Sequence, residues 1–213
     1  MNENNVSQLL EKAQALFLEK RLDEAVVEVK KYLDSEDLSL AQNAKRLFGQ
    51  ICFSSRDFQE AQKYFSEVIK SSPSCFDYFN LCISSIMSGD LEMAEKSFNI
   101  AIDLSSKEKP ETKINLTYFY TKTLIDSKEY NRAFDKIKII MGYFFDKNSI
   151  TDYTHLILKS SGIVPSLGDL LSLILQISSN IEKSEVIAYL SDIYEKVDSD
   201  GKIEIDKVKN LLI

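Results

Sequence analysis

The sequence predicts an all-α protein made of stacked helical hairpins, and three observations favour that fold. Among 213 residues there are only 6 Gly and 3 Pro, the residue types that most often interrupt helices. A short motif with an alanine at its centre recurs four times along the chain. Around each copy, apolar residues are spaced three and four apart, as they are on one face of an α-helix.

The recurring motif has a fixed internal spacing. Its central alanine returns at intervals of 36, 33 and 39 residues, as Ala25, Ala61, Ala94 and Ala133. Another small or narrow residue stands 12 positions before each alanine: Ala13, Gly49, Cys82 and Thr121. A constant offset within variable intervals indicates a unit that is rigid inside and variable between units. Two antiparallel helices joined by a tight turn explain it, because side chains must be small where the helices cross most closely.

Two further positions complete the motif. Three residues before each alanine is a bulky apolar residue, expected at the start of the second helix: Leu22, Phe58, Leu91 and Tyr130. Four residues after each alanine, on the same helical face, is another apolar residue: Val29, Phe65, Phe98 and Ile137. A hairpin of this kind cannot bury both of its faces alone, so the four hairpins are predicted to stack.

The pattern resembles the tetratricopeptide repeat, a helix–turn–helix unit of about 34 residues. The stretch "YFNLC", residues 78–82, matches the family's opening aromatic-x-x-Leu-Gly sequence, with Cys82 in place of the glycine. Gly49 supplies that glycine in the second repeat, and Pro73 stands where the family often ends a unit. The first repeat departs from the family at Tyr32, and the fourth lacks the opening aromatic residue. Over roughly residues 6–145, the resemblance implies a right-handed α-solenoid.

The predicted organisation is one continuous domain. Residues 1–147 hold four repeats, at about 6–39, 42–74, 75–106 and 114–147, and residues 148–213 form capping helices. In that second part we expect a helix at 149–162 and a helix around "LLSLILQI" with a broad apolar surface. A third helix carries an apolar stripe formed by Ile181, Val186, Leu190, Ile193 and Val197.

Composition and charge exclude several classes of protein. The formal net charge of −7 argues against binding that depends on neutralising phosphates, so no nucleic-acid partner is expected. The most apolar stretch, residues 170–177, is too short to span a bilayer, so no membrane insertion is expected. The start of the sequence has no signal-peptide pattern. Three cysteines without a CxxC spacing (Cys52, Cys75 and Cys82) indicate reduced, packed thiols, and we expect a cytoplasmic location.

No catalytic machinery is recognisable, so we expect neither an enzyme nor a cofactor. His155 is the only histidine, and a catalytic histidine would need an orienting carboxylate and a nucleophile, neither of which is identifiable. We therefore interpret His155 as a packing or surface residue. The sequence also contains no phosphate-binding GxxxxGK[ST], no GxGxxG and no HExxH motif.

The segment around Gly201 resembles a calcium loop of the helix–loop–helix type. Asp198 and Asp200 then fall at two ligand positions. Lys196 and Lys207, however, occupy the positions of the first ligand and of the bidentate glutamate, where calcium requires carboxylates. We therefore expect no metal site, and an Asp-Gly turn leading into the final helix explains the segment more simply.

The resemblance implies a concave groove lined by the first helix of each repeat. Family geometry places twelve residues there: Leu10, Gln14, Phe17, Arg46, Gln50, Phe53, Phe79, Ile83, Ile86, Tyr118, Lys122 and Ile125. Family members that bind the acidic C-terminus of heat-shock chaperones use basic and polar residues where Leu10 and Phe79 stand here, so that ligand is not expected. An apolar groove suits a protein or peptide with apolar anchors, and the chain is predicted to be an adaptor or scaffold.

An alternative stays open at this point. The groove could be filled by the protein's own C-terminal helices or by a second copy, as in a regulatory or structural subunit. The adaptor hypothesis expects the face formed by Phe79, Ile83 and Ile86 to be accessible, with Tyr78, Leu81 and Cys82 serving the core instead.

Overall fold

The structure is a computed structural model that describes residues 3–71, 73–105, 110–145 and 164–212. Within these ranges the chain forms α-helices and two short 3₁₀ helices, with no strand, so the predicted all-α fold is confirmed there. The predicted helix at 149–162, including His155, lies outside the described residues. The chain divides into two compact units, residues 1–107 and 108–213.

The first unit holds three helical hairpins. Its helices are α1 (Glu3–Leu18), α2 (Leu22–Val29), α3 (Leu38–Ser54), α4 (Phe58–Val68), α5 (Cys75–Ser88) and α6 (Leu91–Ser105). A 3₁₀ helix, Lys30–Tyr32, follows α2. Each odd-numbered helix packs against the helix that follows it; in addition, α3 contacts α1 and α2, and α5 contacts α3 and α4. The first helix of one hairpin therefore rests against both helices of the hairpin before it.

In its described residues the second unit holds a fourth hairpin and three further helices. They are α7 (Pro110–Asp126), α8 (Tyr130–Phe145), α9 (Leu167–Ile177), α10 (Lys183–Tyr194) and α11 (Ser199–Leu212), with a 3₁₀ helix at Ser178–Asn180. Within this unit α9 packs against α8 and α11, and α10 packs against α11. The division into units lies at 107/108, whereas the repeat pattern of the sequence changes after residue 147.

The helix starts follow the motif. The second helix of every hairpin begins at the bulky apolar residue predicted for that position, namely Leu22, Phe58, Leu91 and Tyr130. The paired small residues of all four hairpins are buried, as are the apolar residues four positions after each alanine. The hairpin register read from the sequence is therefore confirmed.

The reason for a small residue at the crossing is visible at Gly49. A β-carbon added to Gly49 would lie 2.9 Å from Cζ of the Phe65 ring and 3.0 Å from its Cε1. Real β-carbons do not approach other atoms so closely, so Phe65 would have to move. Phe65 is itself almost fully buried in the core that joins the first two hairpins. The space that glycine leaves open is thus filled by the aromatic ring of the partner helix.

The turns inside the hairpins share one geometry, which explains the constant offset of 12. Five residues before each motif alanine the backbone is left-handed, with φ of 61° at Lys20, 63° at Arg56, 87° at Gly89 and 65° at Lys128. The next residue donates its N–H to a carbonyl five positions back, at 2.8–2.9 Å, in all four turns. This is the hydrogen bond of a Schellman motif, which ends a helix and reverses the chain.

The helices after residue 164 follow their apolar patterns with two corrections. Ile181 and Val197, predicted on the apolar stripe of the third helix, lie outside α10, which spans Lys183–Tyr194. Helix α9 buries five of its large apolar residues, as its broad apolar surface predicted. The predicted Asp-Gly turn at residues 200–201 is wrong, because α11 already begins at Ser199. The Asp198 carboxylate accepts a hydrogen bond of 2.7 Å from the N–H of Gly201 and so caps the helix, which starts earlier than a turn would allow.

Candidate functional site

The predicted groove of the first unit is less accessible than the sequence indicated. Phe79 is only 8% exposed and Ile86 only 2%, and Leu10 is buried as well. The expectation that the Phe79 face is accessible is therefore wrong for Phe79 and Ile86. Both lie on the side of α5 that carries Cys82, at intervals of three and four residues. They are therefore buried together with Cys82, the small residue at the helix crossing, which we call the crossing residue of the hairpin.

The fourth hairpin shows the same pattern within the second unit. Ile125 stands four residues after the crossing residue Thr121, and both are buried. Lys122, one residue after Thr121, is exposed, and Tyr118 is half-buried with its ring near the Lys122 ammonium group, 5.6 Å away. The residue directly after the crossing residue is exposed or half-buried in all four hairpins: Gln14, Gln50, Ile83 and Lys122.

On α1 and α3 the accessible groove residues are either polar or partly packed against the core. Gln14 is exposed and Gln50 is half-buried. Phe17 and Phe53 are half-buried and pack against the core of the first two hairpins. The Phe53 ring also meets the ring of Phe58 edge-on, with centroids 5.3 Å apart. The two phenylalanines therefore stabilise the hairpins and offer only their outer edges to a ligand.

Arg46, a predicted groove residue, forms an ion pair that joins two hairpins. Its Nε and Nη2 donate to Oδ1 and Oδ2 of Asp77 on α5, at 2.5 and 2.9 Å, and its Nη1 donates to Oδ1 of Asn43 at 2.6 Å. The bidentate geometry is the strongest that an arginine and a carboxylate form. Arg46 thus ties α3 to α5 and orients the Asn43 amide.

Asp77 is 1% exposed and is held as a carboxylate by its donors. Burial by itself raises the pKa of Asp77, but the hydrogen bonds from Arg46 and Ser74 outweigh it, and the net pKa is lowered. Ser74 and Asp77 form a reciprocal capping box: the Ser74 N–H donates to the carboxylate at 2.9 Å, and the Asp77 N–H donates to the Ser74 hydroxyl at 3.2 Å. One carboxylate therefore both starts α5 and joins it to α3.

Part of the accessible surface of α5 was not predicted from the sequence. Phe76, Asn80 and Ile83 are spaced four and three apart and lie along one side of the helix. Phe76 is 54% exposed, and the other two are half-buried. We call these three residues the α5 stripe. The capping-box sequence Ser74-x-x-Asp77 was the signal that could have located the helix start and, with it, this side of the helix.

The described residues hold no cluster of metal ligands, and their cysteines are buried. No group of three or more His, Cys, Asp or Glu side chains within these residues could hold a metal ion. All three cysteines are buried, and burial raises the pKa of the Cys52 thiol to about 11, which makes its thiolate scarce at neutral pH. The candidate functional site is the surface along α1, α3 and α5, where Gln14, Gln50 and the α5 stripe are accessible.

Among the helices that the structure describes, none has the length and apolar character needed to cross a membrane. Neither the protein-family models nor the curated proteins include a match to this chain.

Proposed function

We propose that the chain is a protein- or peptide-binding adaptor whose hairpins form a tetratricopeptide-like, right-handed array. The observation that carries this proposal is the surface shared by successive first helices. Helix α3 contacts both α1 and α5, and each of the three presents an accessible side chain directly after its crossing residue: Gln14, Gln50 and Ile83. A surface of this kind extends over several helices and suits an elongated ligand.

The chemistry of this surface favours an extended peptide with a small apolar anchor. The side-chain amides of Gln14, Gln50 and Asn80 can each donate and accept hydrogen bonds, as the backbone of an extended peptide requires. Phe76 and Ile83 supply apolar contact area on α5 beside the Asn80 amide. The ligand is therefore expected to bind through backbone hydrogen bonds along α1 and α3 and through one apolar side chain at the α5 stripe.

A second candidate function is that of a structural or regulatory subunit whose groove is filled by its own chain. The burial of Leu10, Phe79 and Ile86 favours it, because these apolar groove positions already belong to the interior of the protein. The two candidates differ in what the α5 stripe does. An adaptor needs the stripe for its ligand, whereas a self-filled subunit does not.

The test uses the full chain as bait in a native lysate, with quantitative mass spectrometry of the retained proteins. The variant Phe76→Asp should lose the specific partner, and the matched control Phe119→Asp should retain it. The two residues are 54% and 53% exposed, and Phe119 lies on a different helix, α7 of the second unit. Far-ultraviolet circular dichroism should show the same helical content for both variants. Identical partners for both would refute the α5 stripe as the binding site.

A further inference from the structure

Helices α3 and α5, which carry most of the proposed binding surface, are poor in charged residues. They contain 17 and 14 residues, of which three are charged: Lys45, Arg46 and Asp77. The chain as a whole is 28% charged. The second helices of the same two hairpins, α4 and α6, contain 11 and 15 residues, of which seven are charged: Glu60, Lys63, Glu67, Glu92, Glu95, Lys96 and Asp103. The low charge is therefore a property of the first helices and not of the hairpins as a whole.

Burial alone does not explain this difference between first and second helices. Four residues of α3 and α5 are exposed, and all four are uncharged: Leu38, Ser39, Ser54 and Phe76. Six residues of α4 and α6 are exposed, and four of these are charged: Lys63, Glu92, Lys96 and Asp103. Because charged side chains are most often found at exposed positions, water would accommodate them on α3 and α5 as well.

Each of the three charged side chains on α3 and α5 already has a partner within the first unit. The Lys45 ammonium group pairs with the carboxylate of Glu67 at 2.8 Å, and Nη2 of Arg46 donates to Oδ2 of Asp77 at 2.9 Å. A charged ligand group that came to rest on α3 or α5 would lose water and would meet only charges that are already paired. A ligand charge of either sign is therefore unfavourable on these two helices.

The uncharged surface ends at α1. Glu11 is exposed and stands three residues before Gln14, on the same side of that helix. We call Gln50 together with the α5 stripe the α3–α5 surface, which leaves α1 out. Since packed helices lie about 8–10 Å apart and an extended chain advances about 3.3 Å per residue, about three ligand residues cross from α3 to α5.

We infer that the α3–α5 surface recognises an uncharged peptide segment with one apolar side chain. This inference rests on the proposed function and adds that the surface selects its ligands by the absence of charge. The apolar side chain contacts Phe76 and Ile83, and its neighbours present main-chain and uncharged polar groups to the amides of Gln50 and Asn80. Acidic and basic segments are both rejected, because neither finds an unpaired charge on α3 or α5.

Selection of phage-displayed random dodecapeptides against the full chain tests this inference. The enriched peptides should share a short uncharged run that contains one apolar residue. In fluorescence anisotropy, the affinity of a synthesised peptide should change less than about twofold between about 50 and 500 mM sodium chloride. Replacing a residue next to the apolar one by Lys or by Glu should weaken binding about tenfold or more in both cases.

The variant Gln50→Lys should change the charge preference in a defined direction. Its ammonium group lies one helical turn from the Arg46 guanidinium, which cannot pair with it, so it stays free for a ligand. The variant should bind one of the Glu-substituted peptides about tenfold more tightly than the parent chain does, and salt should weaken that binding. The matched control Gln59→Lys, at an exposed position of α4, should bind as the parent does. Circular dichroism should show parental helical content in both variants.

The outcomes separate this inference from the proposed function. Enriched peptides that are acidic or basic, with an affinity that falls steeply with salt, overturn the inference; if Phe76→Asp abolishes their binding, the adaptor proposal stands. A charge preference that is the same in the parent and in Gln50→Lys also overturns the inference. Peptides that Phe76→Asp still binds, or a selection that enriches no peptide, overturn the proposed function and this inference with it.

Discussion

Gly49→Ala should destabilise the protein although the same change in a helix usually stabilises it. The added β-carbon would lie 2.9 Å from the Phe65 ring, and the ring is confined in a buried core. Overpacking a core by one methyl group costs about 1–3 kcal/mol. Alanine in place of glycine within a helix stabilises the helix by about 0.5–1 kcal/mol. The net loss should therefore be about 0–2.5 kcal/mol of unfolding free energy.

Gly142→Ala is the matched control for this prediction. Gly142 also lies in a helix, α8, but a β-carbon added there has no neighbour within 4 Å. Only the helix-propensity gain remains, so this variant should be more stable than the parent by about 0.5–1 kcal/mol. The two glycine-to-alanine changes are thus predicted to shift stability in opposite directions. Urea unfolding followed by far-ultraviolet circular dichroism measures both.

The cause is tested by a second change at Phe65. If the ring produces the clash, Gly49→Ala should cost less in a Phe65→Leu background, with a coupling free energy of about 0.5 kcal/mol or more. Additive effects would show that the methyl group and the ring do not meet. A Gly49→Ala variant that gains stability as Gly142→Ala does would refute the crossing geometry itself.

Three further predictions follow from the turns, the crossings and the ion pair. Gly89→Ala should lower the free energy of unfolding, measured in urea, by about 1 kcal/mol, because φ at Gly89 is 87°. Arg56→Gly, where φ is 63°, should leave the stability unchanged or raise it. Equal effects of the two changes would contradict the shared turn geometry. Ala94→Leu should cost about 1–3 kcal/mol through overpacking at the crossing with Cys82, whereas the exposed Lys63→Gln should change stability by less than about 0.5 kcal/mol. The folded-state pKa of Asp77 is lowered, so its stabilisation is complete above the unfolded-state pKa of about 3.9 and is lost as pH falls through the folded-state value. Unfolding free energies measured from neutral to acidic pH should therefore decline less steeply in Asp77→Asn, and identical slopes would contradict the assigned shift.

The sequence predicted those features that are fixed within one hairpin. The helix starts and the buried crossing pairs follow from local rules, because a single Schellman turn sets the distance between two helices that are close in sequence. The left-handed residue of that turn is a glycine only at Gly89; at Lys20, Arg56 and Lys128 the sequence shows no sign of it. The hydrogen bonds of the turn and the small crossing residues keep the geometry without glycine.

Contacts between hairpins were not predictable from the repeat pattern. The choice between the Phe79 side and the Phe76 side of α5 depends on a helix rotation of about 60°, which is the angle between side chains three residues apart in an α-helix. That rotation is set by the packing of Cys82 and by the capping box that starts α5. The pairing of Arg46 with Asp77 joins residues 31 positions apart, and no spacing within one repeat reveals it.

The Arg46–Asp77 pair also limits the kinds of ligand that the surface can bind. A ligand carboxylate that recruited Arg46 would leave the almost fully buried carboxylate of Asp77 without its strongest donor. Removing one partner of a buried ion pair costs about 3–5 kcal/mol, and the start of α5 would also be weakened. The new surface ion pair with the ligand would contribute only about 0–1 kcal/mol of stabilisation. An acidic ligand would therefore gain nothing from Arg46, and under the proposed function recognition on α3 and α5 is left to amides and to the apolar side chains of the α5 stripe.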